Sequence, residues 1–196
     1  GNIVVVPDLG TDRIMIYEIS PAGKLKPASQ PYASVAKGAG PRHFAFHPSL
    51  QFGYVVNELN ATVTAFAFDK TNGYLDEINT VSILPEDFAG ENKAADLHVT
   101  PNGQFAYASN RGHNSLAVLK IDEKTGEIEY LFNENCGGEW PRAFSIDPSG
   151  KFLLSANMET GNIVSFKIDY STGHLQKIDE NSSFPGPRCI KFLPKK

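Results

Sequence analysis

The sequence predicts an all-β protein made of four-stranded antiparallel blades stacked around an axis, a β-propeller. Two observations predict it. One long phrase is written three times: PRHFAFHPSLQFGYVVNELNATVTAFAFDKTNGYL from Pro41, AADLHVTPNGQFAYASNRGHNSLAVLKIDEKTGEI from Ala94, and PRAFSIDPSGKFLLSANMETGNIVSFKIDYSTGHL from Pro141. Within each copy, short runs rich in β-branched and aromatic residues alternate with turn chemistry, and no stretch carries a helical period. Pro48, Pro101 and Pro148 are 53 and 47 residues apart, and Asn57, Asn110 and Asn157 keep those intervals, as do Gly73, Gly126 and Gly173. A period of about 40–50 residues with four strands marks a propeller blade, because one blade cannot bury both of its faces without neighbours.

Residues 1–40 form an incomplete copy, IVVVPDLGTDRIMIYEISPAGKL, with Asp8 in the Asn place and Gly23 in the Gly place. The first full blade, 41–93, has strands at HFAFH, FGYVVN and TVTAFAFD and a weaker fourth at EINTVSI. The intervening PSLQ and DKTNG are turns: Pro fixes φ, Gly supplies φ > 0, and Asp or Asn bonds its own backbone. The segment LPEDFAGENKAA holds a short turn at most. Blades 94–140 and 141–186 repeat the scheme, and GPRCIKFLP opens a fifth copy as a closing strand over 187–194. Residues 1–196 therefore read as one propeller region of about four blades.

The 196 residues are 41% hydrophobic and 20% charged, enough for a substantial core. A net charge of −4 argues against a nucleic-acid partner. No apolar run is long enough to cross a bilayer, and GNIVVVPDLG has neither the basic start nor the cleavage site of a signal peptide. Cys136 and Cys189 have no CxxC spacing, so a reduced, cytoplasmic protein is expected. No metal-ligand cluster or cofactor motif is visible. His43 and His47, four apart on a strand, stand about 13 Å from each other and cannot share an ion.

Residues identical in every copy are expected to be scaffold, and those that break the pattern to carry function. Asn57, Asn110 and Asn157 end second strands and are expected to cap them through Asx turns. The residue after each differs: Leu9, Glu58, Arg111 and Met158. Glu58 and Arg111 are therefore informative. The start of a blade's first strand and the end of its second share one side, so Arg42, His43, Glu58, Arg111, His113 and Arg142 should converge on one mouth of the central channel, the default binding site. The bland readings are that the recurring Pro-Arg arginines tie neighbouring blades to backbone carbonyls, and that Glu58 is a turn residue paired with Arg111. His98 reads as a hydrogen-bonded core histidine, and Trp140 as a blade-packing anchor rather than the alternative, a wall of the channel mouth.

The phrases VPDLGTDRI (Val6 to Ile14), GPRHFAFHP with YVVNEL, AADLHVTPNGQFAYASNRGHNS and PRAFSIDPSGKFLLSAN together resemble the seven-bladed lactonase family. That group includes propeller-type 6-phosphogluconolactonases and carboxy-muconate cyclases. The resemblance covers essentially the whole chain and implies the C-terminal part of a longer family member. It implies a glutamate, two arginines and a histidine at the channel mouth. Arg42 and Glu58 occupy matching positions, and Arg111 resembles the second arginine. The family's histidine belongs to a phrase before VPDLG that this chain does not contain.

The function so implied is lactone hydrolysis, with 6-phosphogluconolactone as the small anionic substrate. Glu58 would act as general base through a water, Arg42 and Arg111 would be catalytic cations, and His43, His113 and Arg142 would bind substrate, with no cofactor. Cycloisomerisation of a carboxylated diene and non-catalytic binding of a ligand or protein are the alternatives. The remaining blades, or a self-associating copy, are the partners such a partial propeller would need.

Overall fold

A computed structural model describes residues 2–193, and every regular element in it is a strand. Three sheets have four antiparallel strands in simple meander order. They are β4–β7 (Pro41–Phe46, Phe52–Asn57, Thr62–Asp69, Tyr74–Ser82), β8–β11 (Lys93–Val99, Phe105–Arg111, Ser115–Ile121, Ile128–Asn135) and β12–β15 (Pro141–Ile146, Phe152–Asn157, Asn162–Ile168, Leu175–Asn181). The opening sheet has three strands, β1 (Ile3–Asp8), β2 (Arg13–Ile19) and β3 (Leu25–Ser34). The first strands stand side by side from sheet to sheet, β4 against β8 and β8 against β12.

The core lies between blades rather than within one. Ile14, Ile16, Val55 and Phe66 join the first two sheets. Tyr54, Val56, Ala106 and Leu119 join the second and third, and Tyr107, Leu116, Phe144 and Leu153 the third and fourth. Sequence periodicity alone shows a half-buried strand, yet β5 and β9 are buried at every residue, because each of their faces meets a neighbouring sheet.

The repeated asparagines depart from the expected Asx turns. Only Asp8 makes one, accepting the Gly10 N–H at 3.0 Å. Asn110 and Asn157 are buried and donate instead to the carbonyls of Ile83 (2.8 Å) and Cys136 (3.0 Å), where the preceding sheet ends. Asn57 donates to Thr62 Oγ1 and Thr64 Oγ1 across its own hairpin. The Asn110 and Asn157 amides thus satisfy backbone carbonyls at the end of the preceding sheet.

The closing strand expected over 187–194 is not formed among the described residues: 185–193 carry no strand pairing, and Pro194 lies outside them. A strand exists only through a hydrogen-bonded partner, and no described strand lies alongside.

Candidate active site

Three β-bulges build the site. In β4 the register slips between Pro41 and His43, leaving Arg42 as the extra residue. In β12 it slips between Pro141 and Ala143, at Arg142, and in β8 between Ala94 and Leu97, at Ala95 and Asp96. A bulge kinks its strand and re-aims the inserted side chain, which is why bulges recur beside active sites.

Backbone contacts then fix Glu58 in the turn after β5. Its N–H donates to the Gly40 carbonyl (2.7 Å), and its own carbonyl accepts the Ala94 N–H of the next sheet (3.1 Å). Gly40 takes φ +64°, and a Cβ there would come within 2.6 Å of Leu59 Cγ. Its counterpart Trp140 holds a similar φ of +61°, unfavourable for a bulky residue.

The Glu58 carboxylate bridges two guanidiniums: Oε2 lies 2.9 Å from Arg42 Nε and Oε1 3.1 Å from an Arg111 terminal nitrogen. All three side chains are largely buried, with 16% exposure for Glu58, 17% for Arg42 and 5% for Arg111. Arg42 also donates to the Ala95 carbonyl (2.6 Å), and Arg111 to those of Lys93 (3.1 Å) and Ala94 (3.0 Å). Glu58 is thus paired with Arg111, and Arg42 ties two blades together as one of the bland readings expects, whereas Arg142 and Arg188 make no such tie among the described residues. Burial, and then repulsion from Arg111, pulls the Arg42 pKa below its usual value, against the opposing pull of Glu58. Trp140 lies beside this array, not in a core, with the Arg111 guanidinium 5.5 Å from its ring centroid.

Not every expected residue joins the array. Arg142 is half-buried and makes no hydrogen bond or ion pair among the described residues, although its charge reaches Arg42. His113 turns to Ser115 Oγ (2.7 Å) and packs edge-on against Phe88, and burial lowers its pKa. His43 turns to Asp96, its Nδ1 2.9 Å from Oδ1. His98 is hydrogen-bonded as expected, to Asp96 Oδ2 at 3.3 Å, but only half-buried.

Sequence reasoning missed Asp96, which occupies the place of His43 in its own blade. The signal was present, since that place reads His43, Asp96 and Ala143 in the three copies. Among the described residues no group of three His, Cys, Asp or Glu is arranged to hold a metal ion. No described helix is long and apolar enough to cross a membrane. A recess of about 810 Å³ lies elsewhere, on the outer face of β12–β15, lined by Phe152, Leu154, Ile178, Phe192 and Leu193.

The family model "Lactonase, 7-bladed beta-propeller" matches residues 1–192. The chain belongs to this lactonase family. It is 41% identical over 192 residues to the 6-phosphogluconolactonase of Bacillus subtilis (strain 168), covering 98% of the chain and 54% of that protein. The 6-phosphogluconolactonase of Serratia proteamaculans (strain 568) is 39% identical over 75% of the chain and 44% of its own length. Among solved structures, the periplasmic gluconolactonase of Pseudomonas aeruginosa superposes with a TM-score of 0.91 at 29% identity, covering 99% of this chain and 54% of that one. The chain spans about half the length of the curated relatives it matches.

Gly112, directly after Arg111, carries the tightest constraint on this lactonase-family site. It adopts φ +120°, and a Cβ there would collide with the Glu91 carbonyl oxygen. Gly112→Ala is expected to cost about 2 kcal/mol, or roughly 6 °C in melting temperature, and to shift Arg111 off Glu58. An unchanged melting curve would show that the 91–92 backbone yields freely.

Proposed function

We propose that the protein hydrolyses a sugar lactone bearing an anionic group, with 6-phosphogluconolactone as the leading substrate. The observation that carries this reading is the Arg42–Glu58–Arg111 bridge with Arg142, unpaired among the described residues, beside it. Opening a lactone ring develops negative charge on the carbonyl oxygen, and fixed cations aimed at that oxygen lower the barrier without reorganising. The bridge provides such fixity: Glu58 and three backbone carbonyls hold the guanidiniums while one terminal amino group on each arginine stays unpartnered among the described residues. Both Glu58 oxygens are engaged by guanidiniums, so its role in this reading is to hold the cations rather than to activate water. Arg142 takes the substrate's phosphate or carboxylate, a planar donor fork suited to either. The names of the relatives support the same chemistry, and the free thiols of Cys136 and Cys189 support a cytoplasmic setting.

The test follows acid release from 6-phosphogluconolactone and from unphosphorylated gluconolactone in the purified protein. Saturable turnover above the spontaneous rate is expected. Arg142→Ala should raise KM at least tenfold for the phosphorylated substrate and leave the unphosphorylated one unchanged. No acceleration of either lactone overturns the reading.

A further inference from the structure

A second charged cluster stands beside the arginine–glutamate bridge. The Asp96 carboxylate, its side chain only 8% exposed, is held from three sheets. His43 of β4 places Nδ1 2.9 Å from Oδ1, His98 of β8 hydrogen-bonds Oδ2 at 3.3 Å, and the Phe144 N–H of β12 donates to Oδ2 at 3.1 Å. The Leu97 N–H donates to Oδ1 (3.0 Å), and the Asp96 N–H donates to Ser109 Oγ (3.0 Å). This carboxylate cannot swing.

His43 is its accessible partner. Its side chain is 46% exposed, and with Nδ1 against Asp96 its Nε2 has no partner among the described residues. His98 spends Nε2 on Asp96 and packs its ring edge-on against Phe144 at 4.8 Å. His43 follows Arg42 directly in the β4 bulge, so one backbone kink sends one side chain to Glu58 and the next to Asp96. The charged groups around it are Arg42 and Glu58 of its own sheet, Asp96, His98 and Arg111 of the next, and Arg142 beyond.

Resting on the lactone-hydrolase reading, we infer that His43 is the general base of the reaction and that Asp96 is its positioning carboxylate. Asp96 Oδ1 holds the proton of neutral His43 on Nδ1, which leaves the Nε2 lone pair free. As the oxygen of water bonds to the lactone carbonyl carbon, Nε2 takes the water's proton and the C=O electron pair moves onto oxygen, beside the guanidiniums. Collapse of this intermediate breaks the ring C–O bond, and the departing ring oxygen takes the proton back from the imidazolium. The product is the open hydroxy acid, which then ionises; no oxidant or metal enters the balance. The Asp96 carboxyl is suited to the task. Burial alone would push its pKa up, but the hydrogen bonds and charges of His43 and His98 outweigh burial and hold it below the usual carboxylate range, so it stays ionised.

The experiment combines kinetics with a measurement that needs no substrate. His43→Ala should lower kcat at least a hundredfold, the scale of general-base catalysis. KM should stay within about threefold, and added imidazole should restore turnover saturably without accelerating the wild type. Asp96→Asn should lower kcat comparably, and imidazole should not rescue it. In ¹⁵N spectra, neutral His43 of the wild type should carry its proton on Nδ1, and Asp96→Asn should abolish that preference. Turnover by the wild type together with an Nε2–H tautomer, or with an unchanged kcat in His43→Ala, overturns the base assignment alone. Absence of wild-type turnover overturns the lactone reading, and the base role with it, whatever the tautomer.

Discussion

Glu58→Ala will abolish nearly all lactone opening and destabilise the fold by about 3 kcal/mol. The two losses share one cause. Removing the carboxylate leaves the guanidiniums of Arg42 and Arg111 facing each other in a largely buried site, held by backbone carbonyls that neutralise neither. Stripping one partner from a buried ion pair costs roughly 3–5 kcal/mol, and residual solvent contact at Glu58 places it at the low end of that range. Freed from each other, the guanidiniums also lose the fixed geometry through which they would stabilise developing negative charge, so kcat/KM should fall by about a thousandfold. Urea unfolding and steady-state kinetics on the same variant measure both. The triple variant Arg42→Met, Glu58→Met, Arg111→Met separates them, recovering much of the stability, because apolar groups replace the whole buried triad and leave no charge unpaired, while activity stays lost. Unchanged stability in Glu58→Ala would mean that solvent already screens the bridge.

Much of this arrangement was legible in the sequence because it is repeated. Three copies of one phrase are enough to place strands, turns and their common side, and the rule that function hides where copies differ picked out Glu58 and Arg111. The same rule, applied one strand earlier, would have found Asp96. It was missed because the second copy reads Ala94-Ala95-Asp96, without the Pro-Arg that drew attention to Arg42 and Arg142. The roles of the asparagines were not legible for a different reason. Asn110 and Asn157 satisfy carbonyls 27 and 21 residues away in sequence, and only the stacking of blades brings those groups together. His113 follows the same logic in reverse: its place in NRGHNS puts it near Arg111 along the chain, but Phe88 and Ser115 claim its ring.

Asp96→Ala is the other substitution expected to act strongly on the fold, again by about 3 kcal/mol. It strips the buried Phe144 and Leu97 N–H groups of a charged acceptor and removes a side chain that touches three adjacent sheets. Asp96→Asn, which keeps an oxygen for one of those N–H groups, should cost about half as much. The effect depends on pH with a definite sign. The folded carboxyl titrates below its unfolded value of about 3.9, so its stabilisation is fully present above that pH and is lost as pH falls through the folded value. The gap in unfolding free energy between wild type and Asp96→Asn should therefore be wide near neutrality and shrink steadily below about pH 4. A gap that persists unchanged at low pH would show that the carboxylate's charge contributes nothing and that only its shape matters. Hydrogen exchange locates the effect: the Phe144 amide should lose protection before the amides of β9 and β10. The contact between β8 and β12 there runs through this carboxylate, whereas β9 and β10 each pair with a strand on both sides.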